Sequence, residues 1–398
     1  MPKLVTHCAS CKETQFDTLY RFGKVPLAGY FPIAGSEQEV NRLQMDLLIC
    51  NNCGLVQVSP MVEDKILFSN YRYRSAFSMG NHFKELALWI KRKGIPQGSR
   101  IVEIGSNDGT LLQQLIEVGF DPIGIDPAEN IVSYSVQQGH KVLLGHFSEE
   151  LVAEHKLGTS FDLAISCNSF AHIEGIREIA RCVYKSLKAG GRFLIEVQSW
   201  EELVRLHAFD FVYHEHKYYY DKDSMIHLLA LEGFQVESAE IVPIHGGSWR
   251  FLFTKTETVP NLNGLPKRID FSVKQQVVKS EIRKFFNSIN MLEEKVKSIV
   301  ESGGRVIGFG ASGRANMLIS YMNMQKEIPV VFDESPERIG RNLGFSGIQI
   351  QSLKSLSEDE YTHCVVLAWN FFDSVAKKWP HKGKILISPL PDLKEVAT

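Results

Sequence analysis

The chain has no apolar run near the roughly 20 residues that a membrane-spanning helix needs. It has no surplus of either charge: Lys plus Arg number 44 against 46 for Asp plus Glu. The first absence removes a transmembrane anchor, and the second removes the broad basic footprint that nucleic acid or an anionic membrane would require. Met1-Pro2-Lys3 leads into polar sequence, not into the apolar core of a secretory signal. Low-complexity segments are missing too. Cysteine is sparse, seven in 398 residues, with four of them in two C-x-x-C pairs, which suits a reducing compartment better than a disulfide scaffold. A cytoplasmic monomer with neither nucleic acid nor membrane as partner is the expectation. The length, roughly two to three times that of a usual domain, predicts several cores.

The two cysteine pairs, Cys8-Ala9-Ser10-Cys11 and Cys50-Asn51-Asn52-Cys53, are knuckles that each offer two thiolates to one ion. Together Cys8, Cys11, Cys50 and Cys53 complete a tetrahedral Zn2+ site with no open position, which makes the ion structural. A redox pair is the weaker alternative, since neither C-x-x-C opens a helix after a buried strand. Between the knuckles, Phe22-Gly23-Lys24-Val25-Pro26-Leu27-Ala28 reads as an inserted loop that could lie over a neighbouring domain.

What the sequence does contain is a nucleoside-binding strand, turn and helix. Ile101 to Ile104 suits a buried strand, and Gly105-Ser106-Asn107-Asp108-Gly109 lets the backbone turn sharply before a helix begins at Leu111-Leu112. Asp126 ends the next strand about 20 residues on, where a carboxylate can accept hydrogen bonds from two ribose hydroxyls. The turn departs from G-x-G-x-x-G, so no dinucleotide pyrophosphate cradle is evident, and the Ser-Asn-Asp corner could meet a ligand's ammonium and carboxylate instead. S-adenosylmethionine is the cofactor this implies. Glu103, Gly105, Asn107, Gly109 and Asp126, with Phe147 and Asn168, form the expected cofactor set.

Around this unit, apolar strands at Arg100–Ile104, Pro122–Ile125, Phe161–Ser166, Gly191–Val197, Phe234–Ile241 and Trp249–Thr254 alternate with helical stretches. That pattern predicts a parallel sheet covered on both faces, with the last two strands as an antiparallel edge pair. A loop with Pro260 and Pro266 and an amphipathic helix from Phe271 to about Val300 then act as a connector. A second strand-turn-helix starts at Arg305, with further strands at Val330–Asp333 and Val365–Trp369. The expected fold class is α/β: an N-terminal zinc-binding module (1–70), a central class I methyltransferase Rossmann-like domain (71–258), a linker and connecting helix (259–303), and a smaller C-terminal Rossmann-like nucleotide-binding domain (304–398).

Gly308-x-Gly310-x-x-Gly313 is a literal dinucleotide fingerprint with Asp333 about 20 residues on. The chain leaves little room for a complete dinucleotide domain plus a substrate domain. A glycine turn at a helix N-terminus binds any phosphate, so the diphosphate of a substrate, NAD and a purely architectural turn all stay open. Arg314 would add charge. Phe211-Val212-Tyr213-His214-Glu215-His216-Lys217-Tyr218-Tyr219-Tyr220 is dense in titratable and aromatic groups. It could be a packed loop, a metal site using His214 and His216 for which no third ligand is apparent, or a general base oriented by Glu215 or Tyr213. Asn168 and His172 follow a strand end, where open α/β sheets bind ligands. Tyr71, Tyr73 and His82 lie just ahead of the sheet.

Taken together, the chain resembles the sugar C-methyltransferases that act on nucleotide-linked 4-keto-6-deoxysugars. The resemblance covers nearly the whole chain through the two C-x-x-C pairs, Tyr71-x-Tyr73-x-Ser75, the 105–109 turn, Ala171-His172, Tyr213-His214-Glu215-His216, His245-Gly246-Gly247-Ser248 and Gly308-Phe309-Gly310-Ala311. It implies methylation at C-3 of the sugar, with His216 as base and Tyr213, Glu215, His172, Tyr71 and Tyr73 positioning the substrate or stabilising an enolate; a tyrosine base stays open. It also implies that His245, Gly246, Ser248, Gly310, Ser312, Arg314, Asn316 and Asp333 hold the substrate. Where relatives carry a lysine and an Asn-Thr pair, this chain has Arg314-Ala315-Asn316-Met317, and Phe345-Ser346-Gly347 replaces a Pro-Gly-Thr turn. Thymidine diphosphate (dTDP) is the family's common carrier, and these departures leave guanosine or cytidine diphosphate (GDP, CDP) open. O-methylation of such a sugar and a non-catalytic sugar-binding protein are the alternatives.

Overall fold

The computed structural model describes residues 2–34, 42–67, 74–75, 79–257, 271–344 and 346–398. Tyr71, Tyr73 and Phe345 lie outside the described residues. Three sheets organise the chain. In the first, β1 (Phe16–Val25), β2 (Leu43–Cys50) and β3 (Val56–Ser59) run antiparallel. Met45, Leu47 and Ile49 alternate inward along β2, the period of two that a half-buried strand requires.

The second sheet is built on β4 (Arg100–Ile104), β5 (Asp121–Asp126), β6 (Val142–Leu144), β7 (Phe161–Cys167) and β8 (Leu187–Gln198). The two-residue β9 (Tyr218–Tyr219) leaves this region and pairs with β3, completing the first sheet. β10 (Phe234–Val242) and β11 (Ser248–Lys255) then return, and β11 runs antiparallel to β8 as the expected edge pair. The order β10-β11-β8-β7-β4-β5-β6 reverses between β4 and β7. Such a switch point opens a crevice at the carboxyl ends of the strands, and Gly105 and Asn168 immediately follow those two ends.

The third sheet holds β12 (Val306–Phe309), β13 (Val330–Asp333), β14 (Asn342–Leu343), β15 (Ile348–Ser352), β16 (His363–Val366), β17 (Ile385–Ser388) and β18 (Lys394–Ala397). Its order is β14-β15-β13-β12-β16-β17-β18, parallel inside with an antiparallel strand at each edge. The strand expected over Val365–Trp369 is corrected: β16 ends at Val366, and Trp369 begins a 3-10 turn, where its indole donates to Asp210 Oδ2 at 2.9 Å.

The helix Phe271–Glu301 does more than connect. Val278, Ile282, Phe285, Ile289, Leu292 and Val296 are buried at helical spacing. They pack in one apolar cluster with Leu47 of the first sheet, Trp200 and Phe209 of the central region, and Val331 and Ile387 of the third sheet. Among the described residues, no helix is long and apolar enough to cross a membrane.

Candidate functional site

At the switch point the backbone bends through positive φ at Gly105 (77°), Asn107 (49°) and Asn168 (56°). Gly105 has no room for a side chain, since a Cβ there would lie 2.4 Å from Ser169 Cβ. The turn encloses a cavity of about 890 Å³, mouth included, whose wall contains Gly105, Asn107, Asp126, Phe147, Asn168 and His172 of the expected residues. Asp126 is fixed by two amides, Asn107 N–H to Oδ2 and Ala128 N–H to Oδ1, each at 2.9 Å. Burial raises its pKa, against the pull of those two bonds. Glu103 and Gly109 sit behind the wall. Glu103 is buried, and desolvation followed by Asp108 and Asp126 pushes its pKa well up; Gly109 packs against His140 and Ser135 at the start of the helix Thr110–Glu117. Of the Ser-Asn-Asp corner, one side chain lines the cavity. Ser106 packs beneath Gly124, Asp108 is buried and accepts from Thr110 Oγ1 at 2.6 Å, and only Asn107 reaches the cavity.

Behind His172 stands His216, ring centroids 4.7 Å apart at 74°. The His216 Nδ1–H donates to the Phe211 carbonyl at 3.1 Å, which assigns the tautomer and leaves Nε2 as the lone-pair nitrogen. Tyr213 Oη lies 3.1 Å from that Nε2 and donates to it. Burial, reinforced by His172, the Phe211 contact opposing, holds the His216 pKa well below the ordinary histidine range. His172 is lowered to about 4 by burial and then by the Lys217 ammonium; His245 is lowered to about 4 by burial and then by Arg314.

For such a group the folded pKa lies below the unfolded one, so its contribution to stability is present above pH 6.5 and lost as pH falls toward about 4. Relative to a His172→Phe variant, the protein should lose up to about 3 kcal/mol over that window. Urea midpoints of the two proteins from pH 4 to 8 check this. A difference that does not change with pH would contradict the neutral state of His172.

The rest of the histidine segment is tied to the first and third sheets. Glu215 Oε1 accepts the Gly29 amide at 2.7 Å, so its carboxylate holds the inserted N-terminal loop rather than a ring nitrogen of His216. His214 Nε2 meets the Gln44 carbonyl at 3.2 Å, which leaves no support for a His214–His216 metal pair. The loop reaches across to the third sheet, where Asn316 Nδ2 donates to the Ala28 and Tyr30 carbonyls at 2.8 and 2.9 Å. A Cβ on Gly313 would lie 3.3 Å from Ala28 Cβ, so the glycine turn is roofed by the loop. Ser312 Oγ caps the helix Gly313–Ser320, and Asp333 Oδ2 accepts the Ala311 amide at 2.6 Å. Gly310, at φ 91°, presses on Ala368.

Arg314 is not the open cation that the sequence suggests. Its Nε and Nη2 donate to Asp210 at 2.9 and 3.0 Å, and its guanidinium carbon lies 4.9 Å from the Phe211 ring centroid and 4.6 Å from that of Trp369. Its Nη1 is buried and has no hydrogen-bond partner among the described residues. Asp210→Ala would leave a buried guanidinium without a counter-charge and should cost about 3–5 kcal/mol, read as a fall in the urea midpoint. A midpoint within error of wild type would contradict the pairing. His245, at φ 55°, brings its ring to 6.2 Å from Phe211; Gly246 follows in the same turn, and Ser248 Oγ donates to the Ile244 carbonyl.

The four knuckle cysteines converge, with Cys8 and Cys53 sulfurs 3.6 Å apart and Cys11 and Cys50 sulfurs 3.5 Å apart. A tetrahedron with Zn–S of about 2.3 Å needs sulfurs about 3.8 Å apart, so the four fit Zn2+. The Asn52 amide points at Cys50 Sγ at 3.5 Å, the donor a thiolate accepts in a knuckle. A second convergence was not foreseen: Glu196, fully buried, accepts from His82 Nε2 at 2.6 Å and from Arg250 Nε at 2.5 Å, with Cys167 Sγ at 3.3 Å. The guanidinium already balances that carboxylate, which argues against a cation there. The sequence alone gives Asp210, Asp64 and Lys217 no role, although Asp210 directly precedes the 211–220 segment and Lys217 lies within it.

The chain matches three family models in succession: "Putative zinc binding domain" over residues 8–68, "Methyltransferase domain" over 79–239 and "C-methyltransferase C-terminal domain" over 243–391. It is 26% identical to the C-methyltransferase NovU of Streptomyces niveus, over 99% of this chain and 97% of that protein. Among solved structures, magnesium protoporphyrin IX methyltransferase from Synechocystis PCC 6803 with bound S-adenosylmethionine is similar at 13% identity and a TM-score of 0.35, over 44% of this chain and 79% of that one. An S-adenosylmethionine-dependent methyltransferase from Mesorhizobium loti is similar at 17% identity and a TM-score of 0.35, over 44% of this chain and 100% of that one.

Proposed function

The chain being an S-adenosylmethionine-dependent C-methyltransferase with a structural zinc site, we propose that it methylates C-3 of a nucleotide-linked 4-keto-6-deoxysugar through an enolate, in the making of a branched deoxysugar. The observation that carries this reading is the His216 dyad: a neutral, tautomer-locked imidazole behind His172, which itself lines the donor cavity. Bound S-adenosylmethionine supplies an electrophilic methyl group on a positive sulfonium. A carbon beside a ketone gives up its proton only when the enolate oxygen is stabilised, so the protein must supply a base and a hydrogen-bond donor in one place. His216 Nε2 is the base in this reading. Tyr213 Oη, which donates to that nitrogen, turns its hydrogen to the C-4 oxygen when the substrate arrives, and His172 packs the reacting carbon against the donor.

The third sheet and the 245–248 turn support a place for the carrier. Arg314 Nη1, buried and without a partner among the described residues, is available to a diphosphate oxygen, and His245, Gly246, Ser248 and Gly310 shape the approach; Asp126, Asn107 and Phe147 hold the nucleoside of the donor. Thymidine diphosphate is the carrier most consistent with the family resemblance. Incubation in deuterated water with the thymidine-, guanosine- and cytidine-linked 4-keto-6-deoxysugars, with no methyl donor present, tests the reading. Deuterium should enter C-3 of the cognate sugar, as seen by proton NMR, and its inflection with pH should not fall at the ordinary histidine value of about 6.5. No exchange with any of the three would contradict the enolate route.

A further inference from the structure

Asp64, on the wall of the donor cavity, and Lys217, paired with it, have no role in the chemistry above. Lysine is almost never fully buried unless paired, and Lys217 is wholly inaccessible to solvent. Its Nζ lies 2.5 Å from Asp64 Oδ1 and 3.6 Å from Glu174 Oε2. Its backbone is held on both sides, donating to the Ala171 carbonyl at 2.9 Å and accepting the Val58 amide at 3.0 Å. The ammonium is therefore a fixed anchor, and Asp64 is the group that it fixes. Asp64 belongs to the cavity wall, and it meets Lys217 through Oδ1.

The donor brings two features that call for a carboxylate, the ribose diol and the α-ammonium of its methionyl end. Among the described residues of the wall, the carboxylates are Asp126 and Asp64. Asp126 ends β5, in the position that suits the ribose, and Asp108 of the glycine turn is buried away from the cavity. Glu174 stands between Lys217 and Lys3, whose Nζ lies 4.0 Å from its Oε1, so the carboxylate of this group that reaches the cavity is that of Asp64, which suits a cation. The sulfonium is the other cation of the donor, but a carboxylate placed at its methyl group would itself be open to alkylation.

We propose that Asp64 accepts the α-ammonium of S-adenosylmethionine and that Lys217 is the positioning residue that holds it there. The assignment rests on the donor alone and stands or falls separately from the sugar acceptor. The test is titration calorimetry on zinc-loaded full-length protein with S-adenosylhomocysteine and with its analogue lacking the α-amino group. Wild type should bind S-adenosylhomocysteine at least tenfold more tightly than the analogue. Asp64→Asn should weaken S-adenosylhomocysteine about tenfold or more and leave the analogue unchanged, so that the discrimination collapses. The double variant Asp64→Asn, Lys217→Met, which leaves no unpaired buried ammonium, should show the same collapse and carries the test if the single variant does not fold.

Wild type binding both ligands equally would overturn the proposal without any variant. So would a folded Asp64→Asn protein that keeps the discrimination, or one that loses affinity for S-adenosylmethionine but not for S-adenosylhomocysteine, which would place the carboxylate at the sulfonium.

Discussion

Replacing His216 with asparagine should lower kcat by about 10²–10⁴, the usual contribution of a positioned general base, while the Kd of S-adenosylhomocysteine stays within about twofold. The split follows from the geometry. His216 lies behind His172 and is not on the donor wall, so removing its Nε2 takes away the proton acceptor without touching the donor's contacts. Asparagine can still offer a side-chain amide to the Phe211 carbonyl, which keeps the loss specific to basicity. Steady-state kinetics with calorimetry on the same preparation checks both halves. A variant that keeps wild-type kcat would move the base to Tyr213, and one that loses donor binding as well would mean that the loop had collapsed.

Zinc removal should be equally severe, although its four thiolates take no part in the chemistry. Cys8 and Cys50 share an apolar cluster with Tyr218 and Tyr220, and β9 adds to the zinc-bearing sheet through Val56 and Gln57. Lys217 is pinned to Val58 at one side and Ala171 at the other, so the residues directly after His216 take their position from this sheet. Structural zinc contributes about 10–16 kcal/mol to the folding of zinc-finger peptides, more than a sheet of this size can replace by other means. Cys50→Ser, or stripping with a chelator, should therefore abolish methyl transfer in step with zinc content and expose the Val58 amide to hydrogen exchange. Metal analysis, activity and exchange on one sample check this. Full activity in zinc-free protein would contradict the dependence.

Much of this arrangement was legible because it is local in sequence. A C-x-x-C pair, a glycine turn after an apolar strand and the edge pair β10–β11 each announce themselves within a few residues, and β4 and β13 fall where their apolar runs predict. The helix Phe271–Glu301 showed its buried stripe, but not that the stripe would serve three sheets at once. β6 was missed because Val142–Leu144 is three residues long and only half covered, so no alternation develops. What stayed hidden is what long-range contact decides. Glu215 reads as a catalytic carboxylate until Gly29, 186 positions away, is seen to occupy it. Arg314 reads as an open cation until Asp210 is found to hold its Nε and Nη2, and Asn316 as a substrate contact until the carbonyls of Ala28 and Tyr30 appear. Lys217 lies within the histidine segment, but nothing local in the sequence says that a lysine there is buried against Asp64.

The central claim is that carbon, at C-3 of a nucleotide-linked keto-sugar, receives the methyl group. The most direct measurement supplies S-adenosylmethionine labelled with carbon-13 in the methyl group and follows the purified product by heteronuclear NMR. The account predicts a labelled methyl bonded to the sugar's C-3, with one-bond carbon coupling at that position in a carbon-13 sugar and no remaining C-3 hydrogen signal. A labelled methyl that correlates through oxygen, or one that sits on any other carbon of the ring, would contradict it.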